Sequence, residues 1–130
     1  MKLNQARYIF FLALVILVAC KSSNEDEEKL RNQLIGKWEI AEAYRNGNLA
    51  ESLDDLFFEF FEDGKMRTNI LGSSSQSDYE IDGQNVLQGG EDGVEVNYQI
   101  EEVSDSTLVL STVLRRYDFS FSLKRFKEVE

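Results

Sequence analysis

Two stretches of this chain of 130 residues decide its fold: Val94-Glu-Val-Asn-Tyr-Gln-Ile-Glu101 and Tyr117-Asp-Phe-Ser-Phe-Ser-Leu123. Apolar and polar residues alternate at all eight positions of the first stretch and all seven of the second. Side chains along a β-strand point in turn to opposite faces, so strict alternation puts the apolar residues on one face. Each stretch therefore predicts a strand with one side on a core and one side in water.

The same two-residue period continues through the chain from Lys37 onward, and turn sequences such as Asn46-Gly47 and Arg115-Arg116 interrupt it. The pattern predicts eight strands, at residues 37–44, 56–62, 65–71, 78–82, 84–88, 94–103, 107–114 and 117–126. Eight antiparallel strands joined mostly by short hairpins leave no exposed edge when they close into a barrel. The predicted fold is thus all-β, an eight-stranded antiparallel up-and-down barrel. A β-sandwich is the alternative, but only residues 46–55 and 71–77 are long enough for its crossover connections.

A short helix is predicted before the first strand, over residues 25–34. Asn24 suits the N-cap position and Glu27 completes a capping-box pattern, while Gly36 suits the position just beyond the end of the helix. The acidic run 25–28 would lie in the first turn, where negative side chains interact favourably with the positive end of the helix dipole.

The first nineteen residues have the layout of a signal peptide. Residues 1–7 are short and basic, and residues 8–19 are continuously apolar. Twelve apolar residues are too few for a helix to cross a hydrocarbon core of about 30 Å. The tetrapeptide 17–20, Leu-Val-Ala-Cys, resembles the lipobox of bacterial lipoproteins. That resemblance implies that residues 1–19 are removed and that Cys20 becomes a diacylated N-terminus holding the protein at a membrane through its acyl (palmitate-type) chains.

The predicted organisation is a lipoprotein signal peptide (1–19), a lipidated cysteine with a polar tether (20–24) and a barrel domain (25–130). Lys21, rather than aspartate, follows Cys20, which by the same resemblance implies delivery to the outer membrane of the cell envelope, facing the periplasm or the surface. Loss of Lys2 and Arg7 leaves 12 basic and 24 acidic residues, a net charge of −12.

A second resemblance covers the barrel domain. Gly36-Lys37-Trp38 resembles the Gly-x-Trp signature of lipocalins. Residues 30–126 resemble the small lipocalin-like domains of Bacteroidetes-type lipoproteins, with a Phe-x-Asp-Gly hairpin at 61–64 and a Tyr-x-Ile-Asp-Gly hairpin at 79–83. The resemblance implies that Trp38 closes one end of the barrel. It also implies that a basic residue of the last strand, Lys124 or Arg125, stacks on the indole. The expected signature residues are Gly36, Trp38 and Arg125.

Composition removes several classes of function. The chain has no histidine and one cysteine, so Ser-His and Cys-His catalytic pairs, His-ligated zinc and disulfide frameworks are excluded. Its acidity argues against a nucleic-acid partner. No pair of carboxylates stands out among the many solvated ones. We therefore expect a protein that is not an enzyme and that holds no cofactor or metal.

Binding of a small apolar molecule inside the barrel is the predicted function. The inward positions that could line such a pocket are Glu42, Phe58, Phe60, Val96, Tyr98, Ile100, Phe119 and Phe121. Glu42 falls inward if the period of two from Trp38 is unbroken, whereas a bulge would turn it outward. The aromatic residues could equally fill the interior. In that case the alternative function is a surface or periplasmic adaptor whose barrel is a scaffold for protein–protein contacts.

Overall fold

The computed structural model describes residues 25–72, 74, 76–89 and 95–127. Cys20, the predicted signal peptide and the tether lie outside these residues. Within the described part, helix α1 (residues 25–34) is followed by nine strands. They are β1 (Gly36–Arg45), β2 (Asn48–Leu49), β3 (Phe57–Phe60), β4 (Lys65–Thr68), β5 (Gln76–Asp82), β6 (Asn85–Gln88), β7 (Val96–Val103), β8 (Thr107–Leu114) and β9 (Tyr117–Arg125). A short 3-10 helix, Glu51–Leu53, lies between β2 and β3.

Eight of these strands form a closed antiparallel barrel. Strands β1 and β3 to β9 pair in chain order, and β1 also pairs with β9. The remaining strand, β2, has two residues and pairs with the last two residues of β1. The predicted eight-stranded barrel with a short helix before it is confirmed. The β-sandwich alternative is wrong, since the strands make one continuous ring.

The two ends of the barrel differ. The helix end carries α1 and the connections β3–β4, β5–β6 and β7–β8, and a hydrogen bond from the Gly83 main-chain N–H to Glu27 Oε1 (3.3 Å) holds α1 against the β5–β6 turn. The far end carries the connections from β1 to β3, β4–β5, β6–β7 and β8–β9. Glu25, the first described residue, lies at this helix end, near Asp105 and Arg125.

The described core lies inside the barrel and under α1. Its buried apolar residues all fall between Leu34 and Leu123. A chain of residues 21–130 therefore keeps every core side chain that the structure describes, and we expect it to fold without the first twenty residues.

A β-bulge in β1 corrects one prediction. Ile40 pairs with Leu123 and Glu42 with Ser122, so Ala41 is an extra residue without a partner on β9. The extra residue shifts the alternation by one position, and Ala43 becomes the buried residue while Glu42 is exposed. The prediction that Glu42 faces the interior is wrong for this reason.

Candidate functional site

Trp38 closes the helix end of the barrel. Its side chain is completely buried, and the indole Nε1–H donates a hydrogen bond to the main-chain oxygen of Leu34 at 2.9 Å. The last carbonyl groups of a helix lack partners within the helix. The indole thus satisfies one of these carbonyls on α1 while its ring fills the end of the barrel.

Arg125 connects β9 to α1 across the Trp38 ring. Its guanidinium carbon lies 4.2 Å from the ring centroid, a cation–π contact. Nη1 donates to the Ile35 oxygen at 2.7 Å, Nη2 to the Gln33 oxygen at 2.8 Å and Nε to the Asp105 oxygen at 2.7 Å. One side chain therefore ties together the end of α1 and the β7–β8 turn. Lys124, the other candidate for this stacking, is exposed.

Gly36 leaves the room that Arg125 needs. A β-carbon at this position would lie 2.6 Å from Arg125 Nη1, and the backbone has φ +127°, a conformation that residues with a side chain rarely adopt. Gly36, Trp38 and Arg125 meet in one cluster. Its hydrogen bonds and its cation–π contact are all made to other residues of the domain. The arrangement is architectural, since it joins helix, first strand and last strand.

Most of the predicted pocket residues fill the interior instead of surrounding a space. Phe58, Tyr98 and Phe121 are 0% exposed and Phe60 is 1% exposed. A side chain beside a water-sized space would be exposed to it, so these rings have no such space next to them. Phe58 and Tyr98 meet edge to face with centroids 5.2 Å apart, which is a favourable packing of aromatic rings. Val96 and Ile100 are buried in the same cluster.

An unbroken series of aromatic rings leads from this core to the far end. Phe58, Phe121, Phe119 and Tyr117 follow one another with centroid separations of 5.9, 5.7 and 6.4 Å. Phe119 is half-buried and Tyr117 is 46% exposed. Of the predicted lining residues other than Glu42, Phe119 is thus the most exposed.

Tyr98, Gln88 and Ser77 form a chain of side-chain hydrogen bonds near the far end. Tyr98 Oη donates to Gln88 Oε1 at 2.7 Å, and Gln88 Nε2 donates to Ser77 Oγ at 3.0 Å. Burial raises the pKa of the Tyr98 phenol above its ordinary value. Sequence reasoning missed Gln88, although its position two residues after Val86 placed it on the inward face. The network holds its members in place and offers a ligand few free donors.

A concave site does exist beside the bulge of β1, and we call it the bulge groove. Its volume is about 440 Å³, and it is lined by Ile40, Ala41, Glu42, Ala43, Leu49, Ala50, Glu51, Leu53 and Asp54. β1 pairs with β3 only as far as Glu39 and then separates from it. Hydrogen bonds from the Ile40 N–H to the Leu56 oxygen (3.1 Å) and from the Ala50 N–H to the Ala43 oxygen (2.8 Å) join the walls.

The bulge groove has an apolar floor and an acidic rim. Ile40, Ala50 and Leu53 are half-buried and pack on the core. On the rim, Glu42 Oε2 accepts a hydrogen bond from the Tyr44 hydroxyl at 2.8 Å, and this carboxylate raises the pKa of the Tyr44 phenol. Glu42 therefore does line a concave site, but one beside the bulge and not among the buried aromatic rings. Its partners there were missed because the groove depends on the bulge.

A solved structure resembles this barrel. It is a lipocalin-like protein from Bacteroides uniformis, which matches with a TM-score of 0.54 and 16% sequence identity over 72% of this chain and 99% of that chain. No protein-family model matches the chain, and no curated protein does either. At this level of identity the likeness shows the fold. The domain is a lipocalin-like β-barrel, as predicted.

In the part of the chain that the structure describes, no helix has both the length and the apolar character needed to cross a membrane.

Proposed function

We propose that this protein is a lipid-anchored, non-enzymatic protein of the cell envelope that binds a small apolar molecule in the bulge groove. One observation carries the proposal: the concave, apolar-floored space lies beside β1, while the aromatic interior is filled. Lipocalin-like barrels suit the binding of small apolar molecules, and this support comes from the fold alone.

The groove suits a neutral or cationic molecule of modest size. Covering its floor removes apolar surface from water, which contributes about 25 cal/mol per Å². Leu49 at its edge is 56% exposed and would gain a contact. Glu51 and Asp54 on the rim would repel an anionic ligand, particularly on a chain that carries −12 after removal of its first nineteen residues.

Blocking the groove is expected to abolish binding. In Ala41→Trp an indole would enter the groove from an exposed position, so the core should be unaffected. Residues 21–130 should be mixed with a lipid extract of the source cells and measured by native mass spectrometry. The wild type should carry the added mass of a bound ligand, and Ala41→Trp should not. Titration with Nile red, a neutral apolar dye, should show binding weakened at least about tenfold, or 1.4 kcal/mol.

Gln99→Trp is the matched control, because it adds an indole at an exposed position on β7 away from the groove. It should retain the ligand. A ligand that survives Ala41→Trp would contradict the site, and a bare protein mass in several extracts would contradict ligand binding. The bare mass would favour the second candidate, an adaptor whose filled barrel is a scaffold for protein contacts. The complete burial of the central rings is the observation that supports that candidate.

The proposed anchor is Cys20, the only cysteine of the chain. Each buried CH₂ of an acyl chain contributes about 0.8 kcal/mol, so two or three chains hold a protein stably at a membrane. Glu25, the first described residue, lies at the helix end, whereas the bulge groove lies beside residues 40–43 and 49–54, so the groove would lie away from the anchoring membrane.

Cys20→Ser in the full-length chain is expected to remain unlipidated. It should lose incorporation of a palmitate analogue and leave the membrane fraction, because the acylated sulfur is gone. Ser22→Ala, two residues away, should label and fractionate like the wild type. Continued labelling of Cys20→Ser would contradict the lipobox.

A further inference from the structure

Two hairpin turns lie side by side at the far end of the barrel. The Asn46 N–H donates to the Asp118 oxygen at 2.7 Å, and the Asp118 N–H donates to Asn46 Oδ1 at 2.9 Å. These bonds join the Asn46–Gly47 turn after β1 to the Arg115–Arg116 turn between β8 and β9. The two tips therefore form one projecting corner.

The two turns have the same backbone form but different residues. The central φ angles are +51° and +80° in Asn46–Gly47 and +50° and +72° in Arg115–Arg116. Two-residue hairpins with both φ angles positive favour Asn-Gly, whereas long side chains are strained there. Arg115 and Arg116 thus occupy positions that cost stability, and such strain is concentrated at sites where proteins bind other molecules.

The corner combines cations with exposed apolar side chains. Val113 is 65% exposed and Tyr117 is 46% exposed, and the guanidinium carbon of Arg45 lies 5.5 Å from the Tyr117 ring centroid. Arg115 and Arg116 are exposed at the tip. Between residues 25 and 127, as far as they are described, the ion pairs within 4.0 Å are Lys65–Asp78 and Arg67–Glu59, and neither involves the corner.

We propose that this arginine corner (Arg45, Val113, Arg115, Arg116 and Tyr117) binds the headgroup layer of an anionic phospholipid membrane. The planar guanidinium fork of arginine matches phosphate, and tyrosine is enriched at the membrane–water interface. Basic side chains within a Debye length of an anionic surface are attracted to it. Exposed hairpin tips with apolar Val113 and Tyr117 among cations fit a deformable headgroup layer.

The corner faces away from the helix end. Strand β9 has nine residues, and the eight steps from Tyr117 to Arg125 give a rise of roughly 27 Å at about 3.4 Å per residue. In a chain anchored through Cys20, the corner would therefore contact an opposing membrane surface. The lipid contact itself does not depend on the proposed anchor or on the bulge groove.

Vesicle flotation of residues 21–130 at low ionic strength tests the proposal. The protein should float with vesicles of phosphatidylcholine and phosphatidylglycerol but not with phosphatidylcholine alone, despite its net charge of −12. The variant Arg115→Asn/Arg116→Gly should bind about tenfold more weakly or worse. Its melting temperature should also rise by about 4–8 °C, because Asn and Gly adopt the positive φ angles of this turn with less strain than arginine does. A loss of binding in a more stable protein cannot be attributed to misfolding.

Lys124→Gln/Lys127→Gln is the matched control, since it removes two exposed positive charges at the helix end. It should bind anionic vesicles like the wild type. The proposal is overturned if the wild type does not float, if it floats equally with neutral vesicles, or if the lysine variant loses as much binding as the arginine variant. Displacement by inorganic phosphate at constant ionic strength would overturn it in favour of a soluble anion site.

Discussion

Trp38→Ala is expected to lower the free energy of unfolding of residues 21–130 by about 3–5 kcal/mol, the usual cost of removing a large buried aromatic side chain. The change empties the helix end of the barrel, leaves the Leu34 oxygen without its donor and removes the ring on which Arg125 stacks. The measurement is urea unfolding followed by circular dichroism, since Trp38 is the only tryptophan and its fluorescence is lost with it.

Trp38→Phe separates the two contributions of the indole. It keeps an aromatic ring under Arg125 but has no N–H to donate, so the Leu34 oxygen stays unpaired in a buried position. A loss of about 1–3 kcal/mol is expected, smaller than that of Trp38→Ala. An unchanged melting temperature for Trp38→Ala would show that Trp38 does not stabilise the core. It would also contradict the conclusion that Trp38 closes the helix end of the barrel.

Arg125→Ala is expected to cost about 2–4 kcal/mol, because three main-chain oxygens lose a charged donor at once. The oxygen of Gln33 lies at the end of α1, that of Ile35 just beyond it and that of Asp105 in the β7–β8 turn. The loss should therefore appear in native-state hydrogen exchange as faster exchange in α1, as well as in the unfolding midpoint.

Arg125→Lys tests whether the charge alone is sufficient. An ammonium group can approach one or two of the three oxygens, but it lacks the planar fork that spans them. Most of the loss should persist in Arg125→Lys. Lys124→Ala, one residue earlier and exposed, should stay within about 0.5 kcal/mol of the wild type. Full stability in Arg125→Lys would show that the geometry of the guanidinium is not needed.

Much of the fold could be predicted because strand pattern is local. The alternation of 94–101 and 117–123 predicted β7 and β9, which the structure gives as Val96–Val103 and Tyr117–Arg125. The need to cover both edges of an eight-stranded sheet predicted closure, which the pairing of β1 with β9 supplies. The short strand β2 was not predicted, since its two residues are too few to show a period.

The candidate site could not be predicted in the same way. Its apolar floor exists because β1 leaves β3 after Glu39 and carries an unpaired Ala41 opposite β9. A bulge is a mismatch between two strands, here more than seventy residues apart, so the residues around it do not reveal it. The acidic rim and the small side chains appear ordinary until this pairing brings them together.

The sequence by itself determined the all-β class, the number of barrel strands, the helix before them and the inward residues of β7 and β9. It could do so because a strand's pleat and a turn's backbone form depend on neighbouring residues. Only the tertiary structure decided that Glu42 faces outward, that Arg125 and not Lys124 covers the indole, and that the aromatic rings fill the barrel. Those outcomes depend on register and on the volume left between strands far apart in the chain, and neither is set by any one segment.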